Sequence, residues 1–482
     1  MRSSINILIL LLFTSCLKAQ DSSTISSALD KLSDNPLFEN AHLAVSLVDI
    51  REGEEILSYN SDKLFIPASG LKLITNFSAL KQLGKDYKFK TEIYYRGTLK
   101  YDGSLDGDII VISGGDPSLG SYNFKGVSPL EELMASICRS IKKAGITCIE
   151  GDIIVDDSFF EYQGPMNSWQ WDDIANYYAG GAYSLNLHEN LYFLNFDRNK
   201  DLNALSELVS IDPPIPYLSF VNKVRVAKSN TGDNAYVFGG PWNHVKELRG
   251  TIPQGKSLFK IKGALPDPPY YFAFILKQYL ESQEIQVDSI RKKKCSTENL
   301  ELIKVIHSPT LERIAYMSNI ESNNLYAETL FKMLGKHKFN SDKAALSKAA
   351  IDQMASEFGL KKNQIKMADG CGLSRRNKMS SSFMSSFLDN MAEILGLENV
   401  CKLLPRPGSK GTAKHINIKE DIASNIWIKT GSMSGVQSYS GYIRTKSKNW
   451  YSFCLIANDF NKSNSQVRSE FNDFLISIYQ EL

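Results

Sequence analysis

Three short motifs stand in one order along this chain, and they limit its folding more than any other feature. Ser69-Gly70-Leu71-Lys72 comes first, Ser322-Asn323-Asn324 second, and Lys429-Thr430-Gly431, followed by Ser432, third. A serine three residues before a lysine puts a nucleophile and a base on one helical face. The later motifs add a second hydroxyl, an amide and a second ammonium group. For these groups to act together, the fold must gather segments hundreds of residues apart into one cleft.

Each motif alone means little. Ser140-Ile141-Lys142-Lys143 and Ser257-Leu258-Phe259-Lys260 also match Ser-x-x-Lys, and Ser33-Asp34-Asn35, Ser58-Tyr59-Asn60 and Ser184-Leu185-Asn186 match Ser-x-Asn. Setting separates them. Pro67 opens a helical stretch, Leu71 to Leu83, which Gly84 closes, so Ser69 lies in a first helical turn. Ser322 precedes a helix, and Lys429 ends an apolar strand. The bland alternative, a solvated lysine on an ordinary helix start, explains any one motif but not three in order.

The chemistry accounts for the residue types. Ser69 Oγ must lose a proton to attack a carbonyl, and Lys72 accepts it only when neutral. A free lysine titrates near ~10.4, so its pKa must fall by roughly two to three. Burial and a second cation, Lys429, both push that way. Ser322 can relay a proton to the leaving amine, and Asn324 can hold a substrate amide. Thr430 and Ser432 suit a carboxylate, and Gly431 leaves the strand edge clear for substrate backbone. The N–H groups of Ser69 and Ser432 can form an oxyanion hole, worth ~3 kcal/mol per donor.

Ala44 to Ile50 and Glu55 to Tyr59 read as a hairpin turning at Arg51-Glu52-Gly53. Asn425 to Lys429, Gly441 to Lys446 and Trp450 to Ala457 read as three more strands. The five can form one antiparallel sheet, with helices at Thr310 to Met317, Asn324 to Leu334, Ala344 to Phe358 and Ser382 to Ile394 on one face. A terminal helix, Ser465 to Tyr479, covers the other. Between 90 and 300 the chain turns strand-rich, with one helix, Pro129 to Ala144, and proline turns at Asp212-Pro213-Pro214 and Asp267-Pro268-Pro269. The expected division is a leader at 1–20, a catalytic domain from 21–95 and 300–482, and insert modules at 96–195 and 196–299. The expected class is α+β.

The leader reads as a secretory signal: Arg2, then an apolar run from Ile5 to Phe13, then small residues. Cleavage fits near Ala19-Gln20, giving a secreted periplasmic protein, or before Cys16, giving a lipoprotein. No later segment is apolar enough to span a bilayer. Setting aside Arg2 and Lys18 of the leader, the bases match the 53 acids, so bulk charge argues against nucleic-acid binding. Cys138, Cys148, Cys295, Cys371, Cys401 and Cys454 have no zinc spacing, and the expectation is buried free thiols, with a Cys138–Cys148 pair as the alternative.

On these residues the chain resembles the D-alanyl-D-alanine carboxypeptidase/endopeptidase family, the class C low-molecular-mass penicillin-binding proteins. Pro67-Ala68-Ser69, Gly114-Gly115-Asp116-Pro117-Ser118-Leu119, Gly151-Asp152-Ile153-Ile154-Val155-Asp156-Asp157-Ser158, Asp369-Gly370-Cys371-Gly372-Leu373-Ser374-Arg375 and Leu403-Leu404-Pro405 through Gly411-Thr412 resemble its blocks. The resemblance implies a transpeptidase-like domain, related to serine β-lactamases, with two inserted domains. It also implies peptidoglycan stem peptides as substrates, covalent binding of β-lactams, and no metal or organic cofactor. By the same resemblance Asp156, Phe160 and Arg375 read a substrate side chain, although Asp156 also suits a turn cap. Cys371 stands where the family has serine, Ser434 where a longer polar residue occurs, and the run 405–410 is unusually basic. The competing expectations are a β-lactamase or esterase of the same fold, and a non-catalytic wall-binding protein.

Overall fold

The computed structural model describes residues 25–482; the leader at 1–20, both expected cleavage sites and Cys16 lie outside the described residues. The chain forms two compact units. One holds the described chain up to Gln82, then Ala315–Ser322 and Lys348–Leu482; the other holds Leu83–Ile314 and Asn323–Ser347.

The first unit is built on a five-stranded antiparallel sheet. Its spatial order is Ile426–Met433, Val436–Arg444, Trp450–Asn458, His42–Asp49, Glu54–Tyr59. This is the sheet expected from the sequence. Both of its faces are covered, which is why His42–Asp49 buries consecutive residues rather than alternate ones. Leu43, Val45 and Leu47 face a core completed by Val467, Phe471, Phe474, Leu475 and Ile478 of the terminal helix Asn464–Glu481. Ser463 and Gln466 close a capping box at the start of that helix. On the opposite face Ser46 Oγ meets Ser385 Oγ at 2.5 Å, and Tyr442 donates to Leu388 O at 2.8 Å, both on the helix Ser381–Leu395.

The second unit holds another five-stranded sheet, in the order Val287–Lys292, Cys148–Asp156, Ser104–Ser113, Lys90–Leu99, Glu301–His307. Lys90–Leu99 and Glu301–His307 pair there, and both lie in this unit. A three-stranded sheet and a four-stranded sheet complete it. One apolar cluster runs through all three, from Ile93 and Ile153 through Tyr192 and Leu194 to Val224 and Leu248. That cluster spans residues from both stretches, 96–195 and 196–299, expected as insert modules.

Asp267-Pro268-Pro269 does not mark a mere turn. Asp267 caps the helix Pro268–Ser282, its carboxylate accepting from Tyr270 N, and the prolines occupy the first turn. A missing N–H costs nothing there, because those donors lack intrahelical partners. The six described cysteines are free thiols. Among the described residues no helix is long and apolar enough to cross a membrane.

Phe471 is fully buried and packs edge-on to Tyr439 at 5.4 Å. Phe471→Ala is expected to lower unfolding stability by about 3–5 kcal/mol in urea melts. Tyr101→Ala, at a fully exposed position, is expected to change it by less than about 0.5 kcal/mol. Equal effects would contradict this account of the core.

Candidate active site

The helix Lys72–Leu83 is preceded by a 3₁₀ turn, Ala68–Leu71, that carries Ser69. Ala68 holds a left-handed φ of 46°, a conformation uncommon outside glycine, so the turn must be held from outside. Several bonds do this. Ser438 Oγ donates to Pro67 O at 2.6 Å, Asn458 Oδ1 accepts from Ile66 N at 2.7 Å, and Asn458 Nδ2 donates to Ile66 O at 3.1 Å. Ser69 is left half-exposed among buried neighbours.

Lys72 is fully buried. Its Nζ lies 3.0 Å from Ser69 Oγ and donates to Cys371 O at 2.7 Å. One turn further along the helix, Thr75 donates to Gly370 O at 2.7 Å. The loop presenting these carbonyls is organised by Asp369, which accepts from Gly372 N, Ser374 N and Asn377 Nδ2 at 2.6–2.8 Å. Gly372 has φ +85°, and a Cβ there would sit 1.9 Å from Ala68 O. The loop therefore lies directly on the nucleophile turn. Cys371 serves through its backbone carbonyl, a role that does not require the usual serine.

Ser322 follows the helix Leu311–Ile320 and is also left-handed, at φ 56°. Asn76, on the nucleophile helix, donates to Ser318 Oγ at 3.0 Å and Asn319 Oδ1 at 2.8 Å. These bonds set the helix end relative to Lys72. Lys429 then closes the set: its Nζ donates to Ser322 Oγ at 3.0 Å and to Thr430 O at 2.7 Å. Lys429 is fully buried and pairs with no carboxylate among the described residues. Burial first, and the charge of Lys72 second, hold its pKa well below the ordinary lysine range.

Thr430 donates to Thr412 Oγ1 at 2.9 Å. Gly431 has a packing role in this structure. A Cβ on it would meet Ser438 Oγ at 2.3 Å, Pro67 O at 2.6 Å and Gly70 N at 2.7 Å. Glycine lets the strand press against the nucleophile turn. Ser69, Ser322, Thr430 and Ser432 line one cavity of about 470 Å³.

The other expected residues are placed differently. Asn324 begins the helix Asn324–Phe339 in the second unit and donates to Tyr178 O at 2.8 Å. Asp156 uses both carboxylate oxygens on backbone amides, Ser158 N and Cys295 N, each at 2.9 Å. That is the turn-cap arrangement. Phe160 is 1% exposed and packs on Phe159, so its ring offers no open surface in this structure. Arg375, in the first unit, donates to Ser434 O at 2.9 Å. The cavity also includes Gln437 and Arg468, which no motif contains. Their only sequence signal was position: Gln437 lies five residues past Ser432, and Arg468 lies in the terminal helix.

A family model described as the D-Ala-D-Ala carboxypeptidase 3 (S13) family matches residues 25–477. The D-alanyl-D-alanine carboxypeptidase DacB of Haemophilus influenzae is 24% identical over 459 residues, covering 92% of each chain. The D-alanyl-D-alanine carboxypeptidase of Actinomadura sp. strain R39 is 22% identical over 427 residues, covering 86% of this chain and 77% of that one. The crystal structure of penicillin binding protein 4 (dacB) from Haemophilus influenzae superposes with a TM-score of 0.79 at 23% identity, covering 93% and 98%.

The lysine pair yields a titration test. Lys429 Nζ, followed by NMR in lysine-labelled protein, is expected to titrate well below ~10.4. Lys72→Met should raise that pKa but not restore it, because burial remains. Between the folded and unfolded pKa values the unfolded chain binds the extra proton, so this site's contribution to stability rises with pH there and falls as pH drops. A Lys429 that titrates as a free lysine would refute the picture.

Proposed function

The chain belongs to the D-Ala-D-Ala carboxypeptidase 3 (S13) family, and we propose that Ser69, Lys72, Ser322, Asn324 and Lys429 carry its reaction. Membership makes it a serine D-Ala-D-Ala carboxypeptidase. Its substrates in this reading are peptidoglycan stem peptides, which places it outside the cytoplasmic membrane. Penicillins acylate the same serine, and peptide cross-links are cut by the same chemistry.

Neutral Lys72 takes the Ser69 Oγ proton as Oγ bonds to the carbonyl carbon of the penultimate D-alanine. The oxyanion that forms is stabilised by the N–H groups of Ser69 and Ser432. Ser322, hydrogen-bonded to Lys429, relays the proton that Lys72 took on to the departing nitrogen, the C–N bond breaks, and D-alanine leaves, with Lys72 neutral again and an acyl ester on Ser69. Water then attacks the ester and gives a proton to Lys72, which returns it to Ser69 Oγ as the ester C–O bond breaks. Asn324, two residues beyond Ser322 in the chain, holds the substrate amide. Thr430 and Ser432 receive the carboxylate.

One observation carries the reading: two buried lysine amines in one unit, each 3.0 Å from a serine hydroxyl supplied by a different motif. A lysine that only stabilised the fold would be cheaper on the surface, where its charge stays hydrated. Asp156, which caps a turn, and the enclosed Phe160 stay in the proposed side-chain reader. Arg375 keeps a place at its rim.

Fluorescent penicillin is expected to label the protein and to leave Ser69→Ala unlabelled, while Lys72→Ala labels about 10²–10⁴-fold more slowly. Digestion of purified muropeptides, read by mass spectrometry, should show pentapeptides losing one D-alanine and cross-linked dimers falling to monomers. Label retained by Ser69→Ala would end the assignment. Dimers left intact beside trimmed monomers would remove the cross-link activity alone.

A further inference from the structure

Beyond the motif residues, the cavity has a wall that no motif supplies. Gln437 pairs with Ser432 across the antiparallel ladder and is fully buried. Its Oε1 accepts from Asn464 Nδ2 at 3.3 Å, but its Nε2 has no hydrogen-bond partner. A buried N–H donor without an acceptor is rare in folded proteins, and this one borders the cavity that holds Ser69. It is a donor waiting for an acceptor.

Asn464, the first residue of the terminal helix, gathers this wall. The same Nδ2 lies 2.7 Å from Ser432 Oγ, 2.9 Å from Val436 O and 3.2 Å from Met433 O, and shares its two hydrogens among these acceptors. One helical turn on, and so on the same face, stands Arg468. It is half-buried, lines the cavity, and forms no ion pair with a described carboxylate. An orphan amide donor and an unpaired guanidinium on the side of Ser432 ask for an anion, and a carboxylate matches the planar guanidinium fork. The other charges bordering the cavity, Glu321 and Lys414, are exposed and screened by water.

We propose that Gln437 Nε2 and the Arg468 guanidinium bind the carboxylate on the leaving-group side of the scissile bond, with Asn464 as the positioning residue that aligns them with Ser432. The assignment rests on the carboxypeptidase reading and adds to it: two residues outside every motif select a free carboxylate over its neutral derivatives. Charge comes from Arg468. Direction comes from Gln437, whose side chain the strand and helix together leave with one open donor.

The test compares acylation by an N-acyl-D-Ala-D-Ala peptide with acylation by its C-terminal amide. The wild type is expected to prefer the free acid. Arg468→Gln should lower acylation by the acid by about 10- to 100-fold, chiefly through KM, and move the amide far less. Arg468→Lys should recover part of the loss, because it keeps the charge without the fork. Gln437→Glu keeps the acceptor for Asn464 and replaces the donor with negative charge, so it should reverse the preference. It is close to isosteric, so a folding failure is not built into the test, and circular dichroism checks it. A preference retained in both Arg468→Gln and Gln437→Glu overturns the proposal, as does equal loss on both probes. A wild type that takes penicillin but shows no preference overturns this assignment alone. A wild type that takes neither penicillin nor peptide overturns the carboxypeptidase reading with it.

Discussion

Two lysine side chains buried beside two serine hydroxyls impose the central constraint on the first unit. Lys72 and Lys429 are both removed from water, and among the described residues Lys429 Nζ is hydrogen-bonded to a hydroxyl and a carbonyl, Ser322 Oγ and Thr430 O. For Lys429, burial and the charge of Lys72 act in the same direction, toward loss of a proton. Each pH unit by which a lysine pKa is depressed corresponds to about 1.4 kcal/mol, against a total stability of about 5–15 kcal/mol for a typical domain. The site therefore costs stability, and the rest of the unit must offset it.

The offset is visible in what surrounds the lysines. Asp369 gives its buried carboxylate to backbone amides of its own loop, which frees the Gly370 and Cys371 carbonyls to face the nucleophile helix. Asn76 ties that helix to the helix end that delivers Ser322. Left-handed backbone at Ala68 and Ser322 lies directly beside the reacting groups, as expected where a rigid surround holds strained residues in place. The large sheet and its two covering layers supply that rigidity, with apolar burial on both faces.

The parts of this arrangement that were legible in the sequence share a cause. The catalytic sheet, the nucleophile helix and the terminal helix showed through periodicity, and the motif residues through their order, because local pattern decides both. What escaped was decided by tertiary contact. The pairing of Lys90–Leu99 with Glu301–His307 joins segments two hundred residues apart, so no local signal could move the unit boundary. The helix Pro268–Ser282 was hidden because two prolines read as a turn, although proline is also the residue that best opens a helix. The burial of Phe160 against Phe159 and Gly115 was likewise not legible in the local pattern. Gln437 and Arg468 gave no signal beyond their position, since a glutamine on a strand and an arginine on a helix are ordinary until the cavity is seen.

Gly431 shows that chemical motifs are also packing motifs. Read as chemistry, the glycine between Thr430 and Ser432 clears space for substrate. In the structure the missing side chain faces inward, where a β-carbon would lie 2.6 Å from Pro67 O and 2.7 Å from Gly70 N. Those are backbone atoms of the turn that holds Ser69, and they cannot swing aside as a flexible side chain would. A larger residue must push the strand away from the turn, taking with it Lys429, which donates to Ser322, and Ser432, which Asn464 holds. Contacts near 3 Å weaken steeply with displacement, so the separation needed to admit one methyl group would disperse the hydroxyl–amine pairs. The spacing of Lys-Thr-Gly is thus a distance requirement between two backbones as much as a set of functional groups.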